Sequence, residues 1–284
     1  MNWLLLTAIS IVFRSFYGVM TKVLSNKVKT SIYTQAALLP LAGAVVAIVL
    51  APFVGGLNLN FTGVSITAVI LIILGQGLGN IVYFEAIKRL SNGTAQIAFS
   101  SILIFNTLLS LVFLNLHLSL FNIGGLFLLM LAILSVVSGK IELNKKGIGL
   151  MVASALLFSV FQLSSAEIAK QVGAVTYLLI AYLGAATVVF ILKWNVILND
   201  LSSVPFRSAI GLPLLTAIPS VGNFLFAYYA YRVAPEPAKV AMLLTSQVVL
   251  TVFLSYFFLK EKGGVIRKVL AALLVVISAV MIKS

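Results

Sequence analysis

The sequence contains no cysteine and little charge of either sign, and these shortages exclude most kinds of enzyme site. Without cysteine there are no disulfides, thiolate nucleophiles or cysteine metal ligands. The single histidine, His117, offers no cluster for a metal or an ordinary catalytic triad, and we interpret it as a solvated loop residue. No acid, base, nucleophile or metal set remains for catalysis, so we expect no enzyme, cofactor or metal site.

The abundance of apolar residues indicates a membrane protein. Of 284 residues 62% are hydrophobic and 9% are charged, whereas a soluble domain carries about 25% charged residues. Because a membrane-spanning helix needs roughly 20 apolar residues, the chain is long enough for ten helices with short loops. The net charge of +13 comes from basic residues that stand singly or in pairs between apolar runs. This is the pattern of topology signals, so no nucleic-acid partner is expected.

The apolar runs predict an all-α membrane protein with ten transmembrane helices. Their approximate ranges are 3–24, 32–53, 64–87, 94–115, 119–139, 147–169, 174–194, 207–231, 237–259 and 264–282. The N-terminus has neither a basic leading region nor a small-residue cleavage site. We therefore expect the first helix to be retained and not removed as a signal peptide.

Two halves of the chain resemble each other. A short charged linker, 141–146, separates a first five-helix repeat, 1–140, from a second, 147–284. A shift of 143 residues aligns Gly79-Asn80 with Gly222-Asn223 and runs without a gap to the last helix. Because five is odd, the second repeat must enter the membrane from the opposite side, so the repeats are predicted to be inverted. Inverted repeats give many transporters two states around a site near the midplane.

Basic residues predict the orientation. Fourteen of the nineteen Lys and Arg fall on one face and four on the face holding both termini, with Arg14 inside helix 1. The positive-inside rule makes the first face cytoplasmic and places both termini outside. We expect the protein in the cell membrane, inner or plasma, as a multi-pass protein.

Arg14 is the most unusual intramembrane residue. It lies about ten residues, or roughly 15 Å, from either end of helix 1, too far to reach water easily. A central Arg costs ~2.5–3.5 kcal/mol, so we expect it to face a wet cavity or a partner. No carboxylate is predicted at its depth. One interpretation pairs Arg14 with a substrate anion, and the other makes it structural, bonded to helix carbonyls and to Asn106.

Other polar residues form helix faces that together predict a central polar cavity. The candidate substrate-binding residues are Arg14, Tyr17, Gln76, Asn80, Tyr83, Asn106, Gln162, Asn223 and Gln247. Taken singly, the polar residues other than Arg14 are better explained as hydrogen-bonding groups that hold helices together. Three glycines at 75, 77 and 79 in helix 3, and Pro213 and Pro219 in helix 8, predict close-packed or broken helices near the site.

The second half carries a recognisable set of short motifs. They are Ala227-Tyr228-Tyr229-Ala230-Tyr231-Arg232, Ala238-Lys239-Val240-Ala241 and Leu259-Lys260-Glu261-Lys262. This set resembles the drug/metabolite transporter superfamily, in particular its ten-helix EamA-type branch. The chain departs from that family where Arg14-Ser15 replaces the usual Trp-Gly. The resemblance implies a secondary transporter of small metabolites. It also implies termini in the cytoplasm, whereas the charge count, which we keep, predicts the reverse.

Together these features predict alternating-access transport of an anionic or zwitterionic solute, such as an amino acid or organic acid. Two alternatives stay open: a quaternary ammonium or drug-like cation held by aromatic rings, and a lipid phosphate or nucleotide sugar. Without a mid-membrane carboxylate, exchange or facilitated transport is expected in place of obligate proton coupling. The expected partners are the small-molecule substrate and the lipid bilayer. A monomer would be sufficient, and an oligomer is possible.

Overall fold

The structure is a computed structural model that describes residues 2–57, 63–114, 119–137, 144–235 and 237–283. His117 and part of the predicted linker lie outside these residues, as do Glu142 and Glu236. The described residues form twelve α-helices and no strand. The helices are α1 Trp3–Lys27, α2 Ile32–Leu50, α3 Ile66–Ile87, α4 Asn92–Phe99, α5 Ile102–Leu114, α6 Leu120–Val137, α7 Lys145–Ile168, α8 Ala174–Ser203, α9 Phe206–Val233, α10 Pro237–Leu244, α11 Gln247–Phe258 and α12 Val265–Lys283. The all-helical membrane fold is confirmed.

Eight segments of the described chain are long and apolar enough to cross a membrane. One of them, Asn92–Leu111, takes in α4 and most of α5. Two shorter apolar helices, Leu120–Ser135 and Gln247–Phe258, correspond to the fifth and ninth predicted helices. A bilayer permits only fully hydrogen-bonded backbone, which is why apolar length alone locates these elements.

Polar residues at the ends of the apolar runs begin several helices. The hydroxyls of Ser31, Ser65 and Ser91 each accept the backbone N–H three residues later, at the starts of α2, α3 and α4. Such N-caps satisfy a donor that the helix itself leaves free. The loop positions therefore follow from local sequence.

Of the two alternatives predicted for the third and eighth predicted helices, close-packed or broken, the structure shows no break in either helix. α3 is continuous, and α9 runs through both Pro213 and Pro219. The chain breaks instead in the fourth predicted helix of each half, at 100–101 and 245–246. There the hydroxyl of Ser100 bonds the Gln96 carbonyl at 3.0 Å, and that of Ser246 bonds the Leu243 carbonyl at 2.7 Å. Hydroxyls that compete for helix carbonyls favour such irregular turns.

The close packing predicted at the α3 glycines is confirmed. A Cβ added to Gly75 would lie 2.9 Å from the carbonyl oxygen of Leu157 in α7. One added to Gly77 would lie 2.7 Å from Val188 Cβ in α8. The glycines thus let α3 pack closely against α7 and α8 of the second half.

Asp200 was predicted in a loop, and this was wrong. α8 continues past a non-helical residue, Lys193, so that Asp200 lies near its C-terminal end. The Asp200 carboxylate accepts the Ser31 backbone N–H at 2.7 Å and the Thr34 hydroxyl at 2.5 Å. The extra helical turns bring a carboxylate to the N-terminus of α2, where negative charge is favourable.

The two halves pack against each other. α1 packs against α9 and α3 against α7, while α2 meets α8 and α6 meets α12. In the predicted repeat, α1 corresponds to α7, α2 to α8, α3 to α9 and α6 to α12. When the two halves are exchanged, the α1–α9 pair becomes the α7–α3 pair, and the α2–α8 and α6–α12 pairs each become themselves. The inverted membrane direction of the halves and the boundaries at 140 and 147 stay predictions.

Candidate functional site

A cavity lies at the centre of the bundle, between helices of both halves. Its walls come from α1, α2, α3, α4, α7, α8, α9 and α11. The space open to the centre of a water molecule is about 50 Å³. At ~10–15 Å³ for each water, this is room for about three to five water molecules.

Eight of the nine predicted site residues line this cavity. They are Arg14, Tyr17, Gln76, Asn80, Tyr83, Gln162, Asn223 and Gln247. That they bind a substrate stays a prediction. They reach one place because each occupies the inward face of its helix, where a polar group is less costly than against lipid.

Asn106 is the ninth, and it does not line the cavity. Its Nδ2 donates to Gln162 Oε1 at 3.0 Å, and its Oδ1 accepts the Ser159 hydroxyl at 2.6 Å. Asn106 therefore contacts Gln162 on the side away from the cavity, and both of these hydrogen bonds are to residues of α7. The structure does not bring Asn106 to the cavity with the other eight, and its role in substrate binding stays a prediction.

Arg14 faces the cavity without a polar partner. Among the described residues its guanidinium forms no hydrogen bond or ion pair. The guanidinium carbon lies 5.9 Å from the centre of the Phe99 ring. The phenol groups of Tyr17, Tyr83 and Tyr231 lie close enough to interact electrostatically with this guanidinium. The structural interpretation, in which Arg14 bonds to Asn106, is not what the structure shows.

A chain of hydrogen bonds closes one wall of the cavity. Gln96 Nε2 donates to the Tyr83 hydroxyl at 2.8 Å, and Gln247 Nε2 donates to Gln96 Oε1 at 2.9 Å. The Thr251 hydroxyl then donates to Gln247 Oε1 at 2.8 Å. This glutamine chain, formed by Tyr83, Gln96, Gln247 and Thr251, ties α3 and α4 of the first half to α11 of the second.

Other polar residues of the cavity are also used in packing. The Ser10 hydroxyl lies 2.9 Å from both the backbone oxygen and Oδ1 of Asn223, joining α1 to α9. The hydroxyls of Tyr182 and Ser220 lie 2.7 Å apart and join α8 to α9. These contacts fit the interhelical role that the sequence left open for single polar residues.

Three polar side chains remain uncommitted. Besides Arg14, neither Gln76 nor Asn80 donates or accepts a side-chain hydrogen bond within the described part of the chain. Gln76 is 2% exposed and its Oε1 is buried without a partner. Buried polar atoms are nearly always hydrogen-bonded, so Gln76 Oε1 is an unusual group for a residue of the cavity lining.

Aromatic rings form a continuous wall around these groups. Successive ring centroids lie 5.2–6.1 Å apart along the series Tyr83, Phe99, Phe158, Phe161, Phe224 and Tyr182. Such spacing is that of favourable aromatic pairs. The wall supplies apolar surface beside the cation of Arg14.

Some lining residues were not predicted from the sequence. They are Leu39, Gln96, Phe99, Phe161, Ser220 and Phe224. Gln96 carried a usable signal, since it is a polar residue inside an apolar run. The phenylalanines carried none, because a ring facing lipid and a ring facing a cavity look alike in sequence.

The four carboxylates of the described residues all lie outside the cavity lining. Glu85 pairs with Arg89 on α3, and Glu167 is exposed. Glu261 accepts the backbone N–H groups of Asn92 and Gly93 at 2.6 and 3.1 Å. Asp200 caps α2 as described above. Arg14 is thus the charged group of the cavity lining.

Comparison with known proteins gives a family and a fold. Residues 1–138 match the model of the EamA-like transporter family. One solved crystal structure is similar over 98% of this chain and 96% of that chain, with a TM-score of 0.71 and 18% identity. At that identity the likeness concerns the fold alone. The comparison with curated proteins gave no match.

Proposed function

We infer that this chain, whose residues 1–138 belong to the EamA-like transporter family, moves a small anionic or zwitterionic solute by alternating access. The family consists of membrane transporters of small molecules. An amino acid or organic acid is the proposed class of substrate. A single chain holds both halves of the site and would be sufficient as a monomer.

The observation that carries this proposal is the uncommitted guanidinium of Arg14. A charge within a membrane-spanning helix is costly unless a partner compensates it. Since the carboxylates of the described residues lie elsewhere, a ligand carboxylate or phosphate is the compensating partner that we propose. Binding would form a charge-assisted hydrogen bond, which is among the stronger contacts that proteins make.

Alternating access is supported by how the cavity is enclosed. Both halves contribute walls, and the glutamine chain crosses between them. The present space of about 50 Å³ is small for a metabolite. Entry of a substrate therefore requires the walls to part, and the packing of the two halves against each other offers that movement.

We propose exchange in preference to proton coupling, because no carboxylate of the described residues lines the cavity. We also propose that both termini lie outside, as the basic residues predict. The cysteine-free sequence permits a direct test of orientation with Asn2→Cys and a maleimide that does not cross membranes. Labelling of intact cells would support termini outside, and labelling only after lysis would reject it.

A quaternary ammonium substrate is the second candidate, favoured by the aromatic wall. Rings such as Phe99 and Phe158 bind cations through their faces. Arg14 lies against one of these rings at 5.9 Å and would repel a second cation. We therefore propose an anionic or zwitterionic substrate in preference to a cationic one.

Thermal stabilisation of the purified protein tests the proposal. The panel holds the twenty amino acids, the amines formed by their decarboxylation, simple carboxylic acids, glycerol 3-phosphate and choline. A ligand at 100 times its Kd stabilises the folded state by ~2.7 kcal/mol. We expect stabilisation by carboxylates or zwitterions that Arg14→Ala removes and Arg14→Lys partly keeps. Equal stabilisation of wild type and Arg14→Ala by choline would support the second candidate instead.

A further inference from the structure

Gln76 is the buried cavity residue whose chemistry is complementary to that of Arg14. Arg14 has only donors, and Gln76 Oε1 is an acceptor. Both residues line the same cavity, and neither side chain has a hydrogen-bond partner among the described residues. One ligand that met both would need an acceptor and a donor in the same molecule.

Two other glutamines of the cavity lining donate to residues other than Gln76. Gln96 Nε2 donates to Tyr83, and Gln247 Nε2 donates to Gln96. Asn80 lies one turn along α3 and forms no hydrogen bond with Gln76. The Oε1 of Gln76, a residue of the cavity lining, is thus buried without a donor from the described chain.

A simple anion cannot satisfy this acceptor. An ionised carboxylate or a fully ionised phosphate has no hydrogen to donate. Such a ligand would pair with Arg14 and leave Gln76 Oε1 desolvated. A buried acceptor left unpaired costs free energy, and sites built around one therefore reject ligands that lack the matching donor.

We propose that Gln76 is a specificity-determining residue that selects zwitterions. In this arrangement the carboxylate of the substrate pairs with Arg14, and an N–H of its ammonium group donates to Gln76 Oε1. The substrate class is then the amino acid and not the organic acid or the phosphate ester. This inference rests on the proposed function, since it assumes that Arg14 binds a carboxylate.

The test compares the best-stabilising amino acid of the panel with the carboxylic acid of the same skeleton that lacks the amino group. We expect the wild type to bind the amino acid about 10- to 100-fold more tightly, the range for one unpaired buried acceptor. In Gln76→Met, which keeps length but loses the acceptor, this ratio should fall to within about twofold.

Gln35 offers a matched control. It is also 2% exposed, and its Oε1 is likewise buried without a partner. It lies on α2 outside the cavity lining, with Nε2 donating to the carbonyls of Val28 and Thr30. Gln35→Met should leave the ratio at its wild-type value.

The outcomes separate this inference from the proposed function. A wild-type ratio near one, or an unchanged ratio in Gln76→Met, overturns the role of Gln76 while leaving the Arg14 carboxylate site intact. Failure of every carboxylate and zwitterion to stabilise the wild type overturns both. If Gln76→Met does not fold, a wild-type ratio near one still overturns the inference, since the ammonium donor is absent from the second ligand.

Discussion

The contacts around Glu261 predict how one end of the cavity is held shut. The Glu261 carboxylate accepts the N–H groups of Asn92 and Gly93 at 2.6 and 3.1 Å, at the start of α4. Lys268 lies 3.8 Å from the same carboxylate and donates to the Ser91 hydroxyl at 2.8 Å. We call these contacts the Glu261 latch. It joins the loop before α12 to the first half of the chain.

Removing the carboxylate with Glu261→Ala should favour opening at this end. The latch loses two backbone hydrogen bonds to a charged acceptor, a favourable charge at a helix start and the partner of a buried Lys268. Loss of a capping side chain alone costs ~0.5–2 kcal/mol, and each bond to a charged group contributes ~1.5–3 kcal/mol. We take about 2 kcal/mol, which is a change of about 30-fold in the opening equilibrium.

The assay is the labelling rate of a single cysteine in the cavity. Leu39→Cys places a thiol on the lining of a chain that has no other cysteine. An impermeant maleimide applied from the end that holds the latch should react about 30-fold faster in Glu261→Ala. Glu85→Ala breaks an exposed pair with Arg89 and should change the rate less than about fivefold.

Two results would contradict the prediction that the Glu261 latch holds one end of the cavity shut. An unchanged rate in a folded Glu261→Ala variant would mean that the latch persists when the cavity opens. An equal rise in labelling from both ends would mean general loosening and not release of one end.

Three further changes have defined outcomes. Gly75→Ala should lower the melting temperature through a cost of ~1–3 kcal/mol, because its Cβ would meet the Leu157 carbonyl at 2.9 Å; Gly149→Ala, with open space around it, should not. Lys22→Met should cost ~1.5–3 kcal/mol or more, also seen on melting, since Lys22 Nζ donates to two carbonyls at 2.7 Å. Glu85→Gln should leave uptake driven by an imposed pH gradient as low as in wild type; loss of a strong proton-driven uptake would contradict exchange.

The helices and the polar cavity could be predicted from the sequence for the same reason. In a bilayer the alternatives to helix are unsatisfied backbone groups, so apolar length decides the spans. A polar residue in such a run is costly unless it faces inward. A polar cavity could therefore be predicted from the sequence alone, from the intramembrane positions of Arg14, Gln76 and Asn80.

The errors arose where neighbours decide the outcome. Prolines predicted a close-packed or broken α9, yet the breaks came where Ser100 and Ser246 compete for backbone carbonyls. Asn106 has the same chemistry as the lining amides, and only its contact with Gln162 shows that it lies behind the wall. The phenylalanines of the aromatic wall could not be told from lipid-facing ones.

Counterflow in proteoliposomes tests directly whether the protein exchanges amino acids and whether this exchange needs Arg14. Vesicles holding the purified protein are loaded with the twenty amino acids at millimolar concentration, and a tritiated mixture is added outside at micromolar concentration. We expect transient accumulation of label by wild type without a pH gradient. Loss of a buried charge contact costs ~2 kcal/mol or more, so Arg14→Ala should reduce the initial rate at least about 30-fold. Equal accumulation by wild type and a folded Arg14→Ala variant would contradict substrate binding by Arg14.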